Sequence, residues 1–376
     1  MSLDWPFYEP RHRDLAAKLE QWASANLGTH HGDDIDAECR KLVLALGSAG
    51  FLNLCVGADA TPDVRSLAIA RETLAYHSGL ADFAFAMQGL GSGAISLAGS
   101  PAQKAEWLPK VASGSAIAAF AMTEPATGSD AANIAMTARA DGDRYRLDGE
   151  KSYISNGGIA DFYTVLARTG EAEGARGLSM FLVRADDPGL SVAERIHVVA
   201  PHPLARLAFN GVSGELIGSA GDGFKIAMQV LTLFRVTVAA AALGFARRAL
   251  DEAISFSSTR QLGNATLADN AVTQANLADM ATAIDASALL IARAAWQQDT
   301  SPADNRRAAA MAKLHATESA QKVIDAAVQL HGGTGVTKGA MVESLYREIR
   351  SLRIYEGASE VQRQIIARDL LKEHGA

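Results

Sequence analysis

The sequence predicts a mainly α-helical protein with a central β domain, in the order helices, strands, helices. Three stretches of different texture predict it. Up to about residue 115, apolar residues recur at intervals of three and four, the spacing that builds one face of an α-helix. From about 116 to 222 the apolar runs are short and separated by Gly, Asp, Asn and Pro, which is the pattern of strands joined by turns. After 222 the helical period returns in long segments and holds to the end.

The domain expectation is therefore a helical N-terminal domain over 1–115, a middle β domain over 116–222 and a helical bundle over 223–376. In the first segment, DIDAECRKLVLALGSAGF and DVRSLAIARETLAYHSG each read as a helix stopped near a glycine. SPAQKAEWLPKVASG opens on Ser100 as N-cap with Pro101 at the first helical position, and stops at Gly114. In the second, AIAAFAMTE, RYRLDGEKSYIS, FYTVLART, LSMFLVRA and RLAFNGV are strand candidates. In the third, helical segments cover roughly 222–262, 267–299, 302–332 and 341–374, a set that suits a four-helix bundle.

Composition narrows the function classes. A net charge of −7 and a pI near 5.7 leave no basic footprint for nucleic acid. The two cysteines, Cys39 and Cys55, are too few for a disulfide framework and read as reduced thiols. The histidines show no HExxH or HxxxH spacing, so no metal is expected. The start, MSLDWPFYEPRHRD, has early acids and no apolar core, unlike a signal peptide. The most apolar window, VTVAAAALGFA, ends at Arg247 and Arg248, short of the roughly 20 residues of a membrane span. The expectation is a cytoplasmic protein with no membrane insertion.

Four stretches carry candidate chemistry. QGLGSGA (88–94) nominally fits a dinucleotide fingerprint, but it lies inside helical sequence and suits close helix packing better. AFAMTEPATGSD (119–130) runs an apolar strand into a turn at Pro125. Such a turn is either a plain capped β turn or a place where free N–H groups and hydroxyls meet an anionic or heteroaromatic ligand. QLHGGTG (329–335) ends a helix at Gly332 and Gly333, which serve as a stop or let another molecule approach the backbone. In RIYEGASEVQR (353–363), Glu356 sits beside Gly357 where one helix ends and another begins at Ser359. A carboxylate at such a break can project into a cavity without a helical neighbour covering it, as a general base must.

Taken together, AMTEPATGSD, GEKSYISNGG, LADM, QLHGGTG and RIYEGASEVQR, in this order and spacing, make the chain resemble the acyl-CoA dehydrogenase family over essentially its whole length. The resemblance implies a helical N-terminal domain, a β-barrel-like middle domain and a C-terminal four-helix bundle. It implies FAD-dependent α,β-dehydrogenation of an acyl-CoA thioester, with Glu356 as the base for the α-proton and flavin N5 as the hydride acceptor. The backbone N–H of Glu356 and a ribityl hydroxyl would hold the thioester oxygen. Phe120, Ala121, Met122, Thr123, Gly128 and Ser129 match the strand and turn that hold the flavin, Ser129 also facing the pantetheine. Tyr153, Ile154 and Ser155 take the usual Trp-Ile-Thr flavin positions. Arg260, Gln329, His331, Gly332 and Gly333 match residues that reach the FAD of a neighbouring subunit. Ala358, Ser359 and Glu360 follow the base along the cofactor, and Thr232, Arg235, Tyr355 and Gly357 line the substrate. By position, Phe83, Phe85, Met87 and Gln88 flank the acyl tail.

A homotetramer, as a dimer of dimers, and an electron-transfer flavoprotein as acceptor are implied in the same way. One subgroup carries its base just before the substrate arginine, where this chain has Phe234. The chain departs from the family at Gly263 and Asn264 (usually Phe and Gly), Ala271 (Gln), Ala358 (Thr) and Thr232 (Asp), and in a shortened loop after GFLNLCVG. The first four positions are flavin contacts. Two alternatives share the fold: a flavin-dependent monooxygenase or oxidase, and a non-catalytic acyl-CoA-binding scaffold.

Overall fold

The computed structural model describes residues 3–28, 34–56, 62–302 and 305–375. The shortened loop after Val56 falls at residues outside these. Six helices come first: α1 (Pro10–Asn26), α2 (Ile35–Ser48), α3 (Asn53–Val56), α4 (Val64–His77), α5 (Gly79–Ala98) and α6 (Pro101–Ala112). Strands β1 (Ala118–Ala121), β2 (Thr137–Asp141), β3 (Arg144–Ser155), β4 (Phe162–Arg168), β5 (Leu178–Arg184), β6 (Leu190–Arg195) and β7 (Leu204–Ile217) follow. The rest is α7 (Gly223–Thr259), a hairpin of β8 (Gln261–Leu262) and β9 (Ala265–Thr266), then α8 (Ala271–Thr300), α9 (Arg306–His331), α10 (Met341–Leu352) and α11 (Ser359–Glu373). The order is helical, β, helical, as the sequence texture requires.

The chain packs as two compact units, one made of Met1–His30, Val64–Asp82 and Thr232–Ala376, the other of His31–Asp63 and Phe83–Leu231. The early helices are thus shared between units, which their sequence alone does not reveal.

The first unit is a helix bundle with an alanine-rich core. Ala239, Ala240, Ala241 and Ala242 on α7 are fully buried, among Ile284 and Ile291 of α8, Ala312 and Ile324 of α9, and Ile349 of α10. Small side chains let helices approach closely. At Gly244 an added Cβ would stand 2.2 Å from the Glu72 carbonyl oxygen on α4. The run read as too short to span a membrane lies within a 37-residue helix. By length and composition, α7 and α8 are both apolar enough to cross a membrane, but 78% of the apolar window of α7 is buried inside the protein. Here α7 is a core helix.

In the second unit, β4, β2, β3, β7 and β5 pair in sequence and β5 pairs back to β4, closing a ring. Strand β1 adds to β4 in parallel, and β6 adds to β7. The capped start of α6 is as expected, with the Ser100 hydroxyl accepting from Gln103 N–H at 3.2 Å. QGLGSGA is helical, within α5, and its glycines serve packing. A Cβ on Gly91 would lie 2.6 Å from the Ala119 amide nitrogen. Gln88 is fully buried, with its amide bridging the Ala116 carbonyl at 2.8 Å and the Ala118 N–H at 2.9 Å. Its polar end is thus occupied by backbone at the start of β1 and just before it, unlike that of a residue lining a tail pocket.

Candidate functional site

In the first unit the last predicted helical segment breaks, leaving residues 353–358 between α10 and α11. Glu356 has φ +51° and Gly357 φ +92°. The left-handed region suits the glycine, whereas for Glu356 it stores strain of about 1–3 kcal/mol. Strain of that kind persists only where the surroundings over-determine it. Lys313 Nζ, from α9, and Gln362 Nε2, from α11, each donate to the Gly357 carbonyl at 2.8 Å. Arg235 Nε, from α7, reaches the Glu356 carbonyl at 3.4 Å. Glu318, also on α9, fastens both ends of the break: its carboxylate accepts from Ser359 Oγ at 2.6 Å and pairs with Arg353 at 2.8 Å. Of the three arginines in this region, Arg353 makes that interhelical pair, Arg347 pairs with Glu343 on its own helix, and Arg350 is exposed.

The Glu356 carboxylate is an unsatisfied acidic group in this arrangement. Its Oε2 is buried and has no hydrogen-bond partner. Burial pushes its pKa up, and Asp82 adds to the rise, while Arg71, Lys313 and Arg235 oppose it. Arg71 and Asp82 form a buried bidentate pair at 2.8 and 2.7 Å, with Arg71 also donating to Thr237 at 3.2 Å. Burial lowers the Lys313 amine to about 8 and lowers the Arg235 guanidinium. It drives the neighbouring Tyr355 phenol up, so that hydroxyl stays neutral. The Glu356 N–H has no intramolecular acceptor among the described residues. The break thus presents a buried carboxylate of raised proton affinity beside a free amide donor. Such a pair can take a proton from carbon and hold an oxyanion.

Phe234 is buried and apolar, Arg235 beside it is buried within the first turn of the part of α7 that belongs to this unit, and Thr232 is half-buried. A second exposed patch joins residues far apart in sequence. The rings of Phe256, near the end of α7, and His331, at the end of α9, stack at 4.3 Å. Arg260, Gln329, Gly332 and Gly333 are exposed, and both glycines face open space. Gly332 has φ +57° as the C-cap of α9. Gly263, at φ +64°, makes the two-residue turn between β8 and β9, so the departure at Gly263 and Asn264 is the cost of a hairpin. Ala271 starts α8 behind its cap Asn270, and Ala358 precedes α11, where Glu360 is exposed and Ser359 is buried against Glu318.

In the second unit, β1 carries Phe120 and Ala121 into Met122 and Thr123, and the turn from Pro125 to Asp130 is mostly exposed. Glu124 and Thr127 exchange backbone hydrogen bonds at 3.1 Å, leaving the amides of Gly128 and Ser129 without backbone acceptors. A Cβ on Gly128 would meet nothing within 4 Å. The turn is anchored from behind by a buried ion pair. Lys151 Nζ donates to the Met122 carbonyl and to Glu124 Oε1, both at 2.9 Å, while Glu124 also accepts from the Ala135 and Met136 amides at 2.7 and 3.0 Å. On β3 the register slips between Lys151 and Ile154, and Tyr153 stands in the bulge at φ +55° with 61% of its surface exposed. Ile154 beside it is buried and Ser155 half-buried. A strained, exposed aromatic and a turn with amides free of backbone acceptors are the two features of this unit that a ligand could use.

Sequence reading missed Lys151, Lys313, Arg71, Asp82, Glu318 and Gln362. The available signal was weak: Lys151 lies inside GEKSYISNGG, and Gln362 inside RIYEGASEVQR.

Family models for the N-terminal, middle and C-terminal domains of acyl-CoA dehydrogenase match residues 9–115, 119–212 and 221–371. The probable acyl-CoA dehydrogenase FadE25 of Mycobacterium tuberculosis is 33% identical over 96% of this chain and 95% of its own. A 3-(aryl)acrylate reductase of Clostridium sporogenes is 37% identical over 73% of this chain and 74% of its own. The solved glutaryl-CoA dehydrogenase of Mycobacterium smegmatis in complex with FADH2 superposes with a TM-score of 0.88 at 27% identity, covering 97% of this chain and 95% of that one. The chain belongs to the acyl-CoA dehydrogenase family.

Proposed function

We propose that the protein is an FAD-dependent dehydrogenase that introduces an α,β double bond into an acyl-CoA thioester, with Glu356 removing the α-proton. The observation that carries this reading is the Glu356 carboxylate, whose Oε2 is buried and unpartnered on a strained turn. A solvated surface glutamate has no need of such a place.

The residues present fit FAD. The free amides of Gly128 and Ser129, the open space over Gly128 and the exposed ring of Tyr153 offer donors and a stacking face. Phe120 to Thr123, with Ile154 and Ser155, would hold the same group; Arg260, Gln329, His331, Gly332 and Gly333 would serve the cofactor of a neighbouring subunit. When bound, FAD supplies the acceptor for the β-hydride. The chain's own part is to hold the thioester and move the proton. Oε2 of Glu356 takes the proton, and the free Glu356 N–H donates to the thioester oxygen, so that charge developing on the enolate is met by a fixed donor. Arg71, Lys313 and Arg235 oppose the rise that burial imposes on the Glu356 carboxyl, and so favour the ionised form that acts as the base. Thr232, Arg235, Tyr355 and Gly357 frame the substrate in this reading. One relative is named a reductase, and a reduction would run the step backwards. In that direction a protonated Glu356 would return the proton to the α-carbon, for which a raised proton affinity also suits.

The reading takes in a cytoplasmic enzyme with domains at 1–115, 116–222 and 223–376, as the sequence texture suggests, and, on the resemblance, a homotetramer that passes electrons to an electron-transfer flavoprotein. The test is an anaerobic titration of FAD-loaded protein with short, medium, branched, cyclic and aryl acyl-CoAs, followed by the flavin absorption band. Wild type should bleach with at least one of them. Glu356→Gln should bind the same acyl-CoA and lose roughly 10²–10⁴-fold in rate; undiminished bleaching in that variant removes Glu356 from the mechanism.

A further inference from the structure

We propose that Lys313 is a positioning residue for Glu356: from α9 it pins the left-handed turn by the Gly357 carbonyl and sets a buried positive charge beside the carboxylate. The inference rests on the reading of Glu356 as the base. Lys313 is fully buried, and its hydrogen bond is to the Gly357 carbonyl, at 2.8 Å. A buried ammonium is costly unless it is paired and hydrogen-bonded. Nothing about holding a carbonyl requires that cost, because Gln362 Nε2 donates to the same oxygen at the same 2.8 Å. A neutral donor already does the structural work. What Lys313 adds is charge.

The charges around the two groups are these. Glu356 is faced by Arg71 on α4, Asp82 on α5, Arg235 on α7 and Lys313 on α9. Lys313 is faced by Glu356, Arg235, Glu318 and Glu360. Arg71 is tied to Asp82 through Nε and Nη2, so much of its field is cancelled locally. Arg235 contacts the Glu356 backbone rather than its carboxylate. Lys313, like Arg235, both holds the turn and favours ionised Glu356, and it does so through the shorter hydrogen bond, 2.8 Å against 3.4 Å. Burial works against that charge and lowers the amine to about 8, while the neighbouring Glu356 supports it.

The experiment uses FAD-loaded wild type, Glu356→Gln, Lys313→Met and Lys313→Arg. Lys313→Met keeps the Gln362 hydrogen bond and relieves a buried charge, so it should fold and retain FAD; thermal melts check that, and Lys313→Arg keeps the charge. The first readout needs no turnover: infrared pH titration of the Glu356 carboxyl band, identified by its absence in Glu356→Gln. The band should titrate at higher pH in Lys313→Met and close to wild type in Lys313→Arg. The second is single-turnover flavin reduction, where Lys313→Met should lose roughly 10–100-fold in limiting rate with acyl-CoA affinity little changed, and Lys313→Arg should recover part of the loss. An unchanged Glu356 titration in a folded Lys313→Met overturns the proposal, as does a rate loss that follows FAD loss. If no acyl-CoA reduces the wild-type flavin, the dehydrogenase reading fails by itself, and the infrared titration still decides on Lys313.

Discussion

The buried lysine of the second unit makes a prediction opposite to what an ion pair suggests. The Lys151 side chain has no solvent exposure, and its amine lies 2.9 Å from a Glu124 carboxylate oxygen. Burial outweighs that partner and pulls the amine from 10.5 to about 8. In the unfolded chain the amine keeps its proton up to about 10.5. Between pH 8 and 10.5 the unfolded state therefore binds more protons than the native state, and stability rises with pH across that window. At about 1.4 kcal/mol for each tenfold change in proton affinity, the fall from 10.5 to about 8 amounts to about 3 kcal/mol. Lys151→Met removes this titration and leaves Glu124 buried with only the Ala135 and Met136 amides. Breaking one side of a buried pair costs about 3–5 kcal/mol, so the variant should be less stable at neutral pH and lose hold of the turn from Met122 to Asp130. The gap to wild type should then widen by up to about 3 kcal/mol as the pH rises through the window. Urea unfolding of both proteins at steps from about pH 7 to pH 10 measures the gap from the midpoints. A gap that stays constant or narrows above pH 8 refutes the reasoning, because it would mean that the charged pair, not the neutral amine, is the form the site prefers.

Other substitutions test separate links. Gly91→Ala drives a methyl to within 2.6 Å of the Ala119 amide nitrogen, backbone that cannot step aside, and should cost about 1–3 kcal/mol in urea unfolding; a neutral result would show α5 free to shift. Gln88→Leu strands the Ala116 carbonyl and the Ala118 N–H, at about 1–3 kcal/mol for each buried group, read in the same melts. Gly357→Ala, at φ +92° and with its new methyl 2.5 Å from Gln362 Nε2, should cost more than about 1 kcal/mol and slow flavin reduction, since the turn carries Glu356. The raised pKa of Glu356 places the acid limb of flavin reduction above the ordinary carboxylate range. A limiting rate that stays flat down to about pH 4.5 would show the base ionised more easily than its burial allows.

Periodicity and punctuation read the helices well because they report local physics. Ser100 and Pro101 start α6, Gly332 stops α9, and the Glu356–Gly357 pair marks the break before Ser359. They also read the inner strands, and they missed β2 and β6, whose residues are mostly exposed and carry no apolar alternation. The deeper misses share one cause. A sequence reader places charge on the surface because burying it is costly. Lys313 lies in an alanine-rich helix, 43 positions before Glu356, and only the turn returning over α9 buries it. Lys151 and Ser152 are both buried, between the exposed Glu150 and Tyr153, because the bulge interrupts the two-residue alternation that would turn one of them outward. Arg71 and Asp82 are 11 positions apart on different helices and meet only when α4 and the start of α5 fold back on each other. Each buried charge opposes stability unless something nearby requires it, and local rules are expected to fail at functional places. Here Lys313, Arg71 and Asp82 surround the Glu356 carboxylate, and Lys151 stands behind the turn with free amides. The residues that sequence patterning handles worst therefore mark the two surfaces where the proposed chemistry is built.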